Sequence, residues 1–123
     1  MKATSISRLV LVVVCCLGVV GCAQKYAVLI STNNVTMDDV SIHSEWWYDL
    51  ILQYKMLRDK GYKKDNIYVL YGNGSDFGTS HPDYNSTALF GHPITTMPVS
   101  KANVQAIFST LSPKVKSDSY LYV

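Results

Sequence analysis

Apolar residues along this chain fall into two patterns, and each predicts a different kind of element. Continuous apolar runs occupy residues 9–20, 26–30, 67–71 and 120–123. The three later runs are short and bounded by turn-forming residues. Such runs suit strands covered on both faces, as in a parallel sheet. In the last of them Tyr120 and Tyr122 fall on one face, and Leu121 and Val123 on the other. The second pattern is a stripe at helical spacing. Trp47, Leu50, Ile51, Tyr54 and Leu57 form one such stripe, and Val104, Ile107, Phe108 and Leu111 form another.

Local signals delimit these elements. Ser44 is placed to cap a helix over residues 44–60, with Glu45 favourable at its positive start. Gly61 follows where a left-handed residue is expected, and Tyr62 can fold back onto Leu57. Ser100 is placed to cap the second helix, flanked by Val99 and Val104 at staple positions, and Pro113 ends it. Between them, residues 72–98 show no periodicity; a connection of that length is usually functional or mobile. The order is β-α-β-loop-α-β. It predicts a three-layer α/β fold with helices on both faces of a parallel sheet and right-handed crossovers. Three strands are few for such a sheet, and the last has no successor. The architecture is therefore expected to be the first half of a domain, stopping after its third strand.

Composition then narrows the class. The chain has 123 residues, 48% hydrophobic and 16% charged, which excludes disordered and fibrous chains. Lys2 and Arg8 precede the apolar run of residues 9–20, which has the length of a signal h-region and falls short of a ~20-residue span. Val19-Val20-Gly21-Cys22 follows, similar to a bacterial lipobox with Val in place of the usual first Leu. This predicts a signal segment over residues 1–21 and a body over 22–123 that is lipidated at Cys22. Ordinary cleavage after Ala23 and an uncleaved anchor are the alternatives. The cysteines are Cys15, Cys16 and Cys22, so the body beyond Cys22 has neither thiol nor disulfide. Without Lys2 and Arg8, the eleven basic residues become nine, against nine acidic ones. No basic run stands out, which argues against a nucleic-acid partner.

Four groups of residues invite a chemical reading. Gly72, Gly74 and Gly78 follow a strand, but G-x-G-x-x-x-G is not the dinucleotide fingerprint and no helix opens after it; turn glycines explain it better. Asn73, Asp76, Asp83 and Asn85 offer oxygen ligands, yet match no calcium loop, and polar turns are rich in these residues anyway. His43, His81 and His92 are isolated, with no strained nucleophile turn to accompany them. Trp46, Trp47 and Tyr54 suit core packing better than a ligand platform.

Three segments in this order have a further meaning: KYAVLIS, then EWWYDLILQYKMLRDKGYKKDNIYVLYGNG, then VSKANVQAIFSTLSPKVKSDSYLYV. Together they resemble the legumain-like and caspase-like cysteine peptidases, particularly the bacterial legumain-like branch. Members share the first strand, the W-x-D-L-type helix, the G-Y-x-x-x-N-I-x-V-L-Y strand and the K-A-N-V helix start. The resemblance implies a parallel sheet whose third strand runs into a His-Gly turn and whose fourth ends at the catalytic cysteine. Neither residue is present in this chain. It also places Asn34 near an asparagine that supports the histidine, and the loop over residues 31–43 near a specificity pocket; a plain turn role for Asn34 stands beside this.

The combined expectation is the N-terminal part of a lipid-anchored cysteine endopeptidase of the bacterial cell envelope, on the outer-membrane or periplasmic face. As given, the chain is expected to be inactive. The partners are a peptide or protein substrate for the parent and the membrane for the anchor; no cofactor or metal is called for. The rival is a non-catalytic, lipid-anchored α/β binding module, secreted if the anchor is absent.

Overall fold

The computed structural model describes residues 23–31 and 40–123, with side chains from residue 45 in the second stretch. Strand β1 (Lys25–Ser31) leads to helix α1 (Val40–Asp59), a 3-10 turn (Lys64–Asn66) and strand β2 (Ile67–Tyr71). A second 3-10 turn (Pro82–Tyr84) and the short helix α2 (Ser86–Phe90) follow, then α3 (Lys101–Leu111) and strand β3 (Tyr120–Tyr122). The sheet is wholly parallel, in the order β2-β1-β3. Ala27 pairs with Ile67 on one side and Tyr122 on the other.

This order makes the chain reverse direction. It steps from β1 outward to β2, then crosses back to the far side of β1. Two crossovers of the same hand made in opposite directions put their helices on opposite faces. The core divides accordingly. Ala27, Leu29, Ile67, Val69 and Tyr71 pack against Trp47, Leu50, Ile51, Tyr54 and Leu57 of α1. Tyr26, Val28 and Leu70 pack against Ile107 and Leu111 of α3. The fold is thus a small three-layer α/β arrangement with β1 buried on both faces, the class the patterning predicts.

The caps show why the elements stop where they do. Gly61 has φ of 83°, its amide donates to the Arg58 carbonyl, and the Tyr62 amide donates to Leu57. That bond pair is a Schellman ending, with Tyr62 packed back on the α1 cluster. At α3, Ser100 Oγ accepts from the Asn103 amide at 3.1 Å, as its N-cap position requires, and Val99 and Val104 both pack on the second cluster. Two expectations are corrected. Helix α1 starts at Val40, so Ser44 lies inside it and is not its cap. Phe108 is 37% exposed; it sits one position round α3 from Ile107 and turns away from the sheet.

The connection between β2 and α3 is also more ordered than its sequence pattern suggests. The Asp76 carboxylate accepts from the Ile94 amide at 3.0 Å and the Thr95 amide at 2.7 Å, and from the Ser86 hydroxyl. One side chain therefore ties three distant points of the connection together. Phe77 and Ile94 enter the α1 core beside it. The returning segment then covers the outer edge of β2. Thr96 Oγ1 accepts from the Val69 amide, and the Met97 carbonyl from Tyr71. Trp47, fully buried, donates its indole N–H to the Tyr84 carbonyl at 2.8 Å and so pins the connection to α1.

Two substitutions test this core. Trp47→Phe removes the only indole donor to Tyr84 and leaves a gap, and is expected to destabilise by about 2–3 kcal/mol. Leu52→Ala, on the exposed face of α1, should stay within about 0.5 kcal/mol. Urea midpoints followed by circular dichroism check both.

Candidate functional site

Parallel α/β sheets bind ligands in the crevice outside the carboxyl ends of the strands, where the strand order reverses. Here that point lies between β1 and β3. A hollow of about 210 Å³ sits there, lined by Ile30 and Ser31 of β1, Trp46, Asp49 and Gln53 of α1, and Val123. Its backbone wall follows from the ladder. Tyr120 donates to the Gln24 carbonyl and Gly72 to the Ser31 carbonyl. Even-numbered residues of β1 therefore aim their backbone groups toward β3, and odd-numbered ones toward β2. The β3 ladder reaches Ala27, which leaves Ile30 with its amide and carbonyl directed at the crevice.

Side chains complete the wall. The Tyr122 hydroxyl donates to Gln53 Oε1 at 3.2 Å. One helical turn earlier on α1, Asp49 and Trp46 face the next stretch of the crevice. Trp46, expected in the core with Trp47 and Tyr54, is 43% exposed, which corrects that expectation; the other two are core residues as their spacing predicts. Extended backbone that continued the β3 ladder would lie against Ile30 here, beside Trp46 and Asp49. The described lining of the crevice holds no thiol and no imidazole.

The residues singled out in the sequence do not gather here. Cys22 and Asn34 lie outside the described residues, as does most of the loop over residues 31–43; of its described part, Ser31 lines the crevice. His81 accepts from the Asp83 amide through Nδ1 at 3.3 Å, and His92 Nδ1 lies 2.7 Å from the Pro93 carbonyl. Gly72 and Gly74 have φ of 44° and 98°. A Cβ on Gly74 would meet Pro98 at 2.7 Å, so this is a turn position where only glycine fits. Asp76 spends its oxygens on Ile94, Thr95 and Ser86. Among the described residues no three His, Cys, Asp or Glu side chains form a metal-holding group.

A second hollow, of about 340 Å³, opens on the outer side of β2 and is lined among others by Tyr54, Lys64, Tyr68, His92 and Thr95. Thr95 Oγ1 is buried there without a hydrogen-bond partner. Tyr54 is buried beneath Phe90 and His92. Burial first, with the Asp65 and Asp76 charges adding to it, raises the phenol above its ordinary 10.0, and nearby Arg58 offsets part of this. Sequence reasoning missed both Asp76 and this hollow. Asn85 and Gly91 around α2 were legible signals. Asn85 Oδ1 accepts from the Ala88 amide and Gly91 sits at φ of 75°, a cap and a left-handed stop that bracket a five-residue helix.

Models of known protein families, curated proteins and solved structures were each compared with the chain, and none of them matches it.

Two outcomes test the geometry around the second hollow. Asp76→Asn keeps the shape but puts an amide against two backbone donors, and should cost about 2–4 kcal/mol in a urea titration. Tyr54 predicts an alkaline limb. Below pH 10 its contribution is complete; above it the unfolded tyrosine ionises while the folded one resists, so stability falls as pH rises toward the raised value. Tyr54→Phe should flatten that decline, as measured by denaturation midpoints on either side of about pH 10.

Proposed function

We propose that this chain is the N-terminal part of a lipid-anchored, legumain-like cysteine endopeptidase. The observation that supports the reading is positional. The three segments that resemble the family coincide with β1, with α1 and β2, and with α3 and β3, around a parallel sheet of order β2-β1-β3. The crevice between β1 and β3 lies at the carboxyl edge, where the family's third strand would deliver its histidine and the fourth its cysteine. The chemistry would be nucleophilic. A thiolate attacks the peptide carbonyl, an imidazole protonates the departing amine, and water then releases the acyl group from sulfur. Backbone amides hold the oxyanion during both steps.

Within this proposal the described residues build the floor of a site and not its reacting groups. Ile30 lies where residues after Val123 would continue the β3 ladder, and Trp46 and Asp49 line the crevice beside it. No residue from Ala23 to Val123 is a cysteine, so that part of the chain supplies no thiol nucleophile. Lipidation at Cys22 would place the parent at the cell envelope.

Three measurements test this. The purified chain should cleave peptides ending in Asn, Asp, Arg or Lys no faster than buffer does; turnover abolished by iodoacetamide would contradict the assignment. Labelled palmitate should enter the wild-type protein but not Cys22→Ser. The reading frame beyond the codon for Val123 should give a His-Gly turn and, some tens of residues later, a hydrophobic strand ending in Cys. A stop codon at that point, with neither feature in any downstream frame, would favour the non-catalytic module.

A further inference from the structure

The charged residues among those described are not mixed evenly over the surface. The amino ends of the strands carry Lys25 at the start of β1, Lys60, Lys63 and Lys64 between α1 and β2, and Lys114 and Lys116 between α3 and β3. Contacts fix these positions. Lys25 Nζ donates to the Lys60 carbonyl at 2.7 Å, and Lys25 pairs with Tyr120 at the start of β3. Lys114 Nζ lies 3.5 Å from the hydroxyl of Tyr68, near the start of β2. All but Lys25 are exposed. The acids nearby are Asp59, Asp65 and Asp118, and Asp59 is already held by Lys55 at 2.6 Å. Toward the opposite edge lie Glu45 and Asp49 in the first half of α1 and Asp83 in the connection, along with Lys101 at the start of α3.

The chain also enters the fold on the lysine side. Ala23, the first described residue, lines a hollow with Lys25, Gly61, Lys63 and Asn66. Ala23, next in sequence to the proposed lipidation site, therefore lies beside Lys25 and Lys63.

We propose that this face rests on an anionic lipid surface and sets the orientation of the anchored protein, with the carboxyl edge of the sheet turned away from the membrane. The proposal rests on lipidation at Cys22 for attachment, and on the lysines for orientation alone. An anchor of several chains holds the protein without help, but a flexible tether leaves it free to tumble. Lysines close to an anionic surface each favour contact by about fivefold, enough for a few of them together to select one face. Lysines are point charges suited to a diffuse layer of headgroups rather than to a shaped ligand.

The test uses the mature protein, reconstituted in vesicles of phosphatidylcholine alone or mixed with phosphatidylglycerol, and reads amine acylation of each lysine by mass spectrometry. Lys60, Lys63, Lys64 and Lys116 should react at least about fivefold more slowly on the mixed vesicles, while Lys101 is unchanged. The protection should vanish at high salt. Equal labelling on the two vesicle types, or protection that includes Lys101, overturns the proposal. Protection by duplex DNA in free solution equal to that by mixed vesicles also overturns it, in favour of a nucleic-acid partner. Failure of the anchor is separate and visible: the protein then does not float with pure phosphatidylcholine vesicles. In that case flotation with the mixed vesicles alone, lost in Lys60→Gln/Lys63→Gln/Lys64→Gln/Lys116→Gln, still supports the face, and absence of flotation with either overturns it.

Discussion

Everything described in this fold depends on β1 having two apolar faces to bury. Tyr26, Ala27, Val28 and Leu29 are all nearly inaccessible, so neither face can be left to solvent. A strand of that kind needs a helix above and a helix below, and a strand on each side to satisfy its backbone. Helix α1 and the Trp47 stripe meet the first demand, and α3 with Ile107 and Leu111 the second. The reversal of strand order follows from it. If β3 had continued outward past β2, a second crossover of the same hand would have landed on the face α1 already covers.

The parts legible in the sequence are those in which one short stretch contains its own reason. The run at residues 67–71 matches β2, because a continuous apolar run in this setting has no alternative but a buried strand. Gly61 and Tyr62 announced their Schellman ending, and Ser100 its cap, because each depends on residues within one turn. What was not legible depends on distant partners. Asp76 reads as one more polar residue in a loop. Its role exists only because residues 18 and 19 positions later bring their amides to it. The same holds for Thr96 and Met97, which cover the outer edge of β2 without any strand pattern of their own. The early start of α1 was hidden for the opposite reason: residues 40–43 lack the apolar spacing that carries the rest of the helix.

The candidate site divides in the same way. Its place was foreseeable, because a parallel sheet with a reversed order puts its crevice at the carboxyl edge. Its lining was not. Trp46 and Trp47 are adjacent and chemically alike, and only the phase of the helix separates a wall of the crevice from the centre of the core. Asp49 and Gln53 read as solvated positions of α1. They become part of the crevice because that stretch of α1 runs beside the carboxyl end of β1.

Parallel topology also explains how a chain with balanced charge can present two unlike edges. In such a sheet every strand begins, and every crossover helix ends, at the same edge. Helix ends favour cations, since their last carbonyls are unpaired and carry partial negative charge. Arg58 and Lys25 use this directly: the first donates to the Tyr62 carbonyl and the second to the Lys60 carbonyl, both just beyond α1. Helix starts favour anions, but neither α1 nor α3 has an acidic residue in its first turn, and α3 begins with Lys101. The separation therefore comes mainly from the connections that precede β2 and β3, which hold Lys60, Lys63, Lys64, Lys114 and Lys116. A net charge summed over the body conceals this separation, which only the direction of the strands reveals.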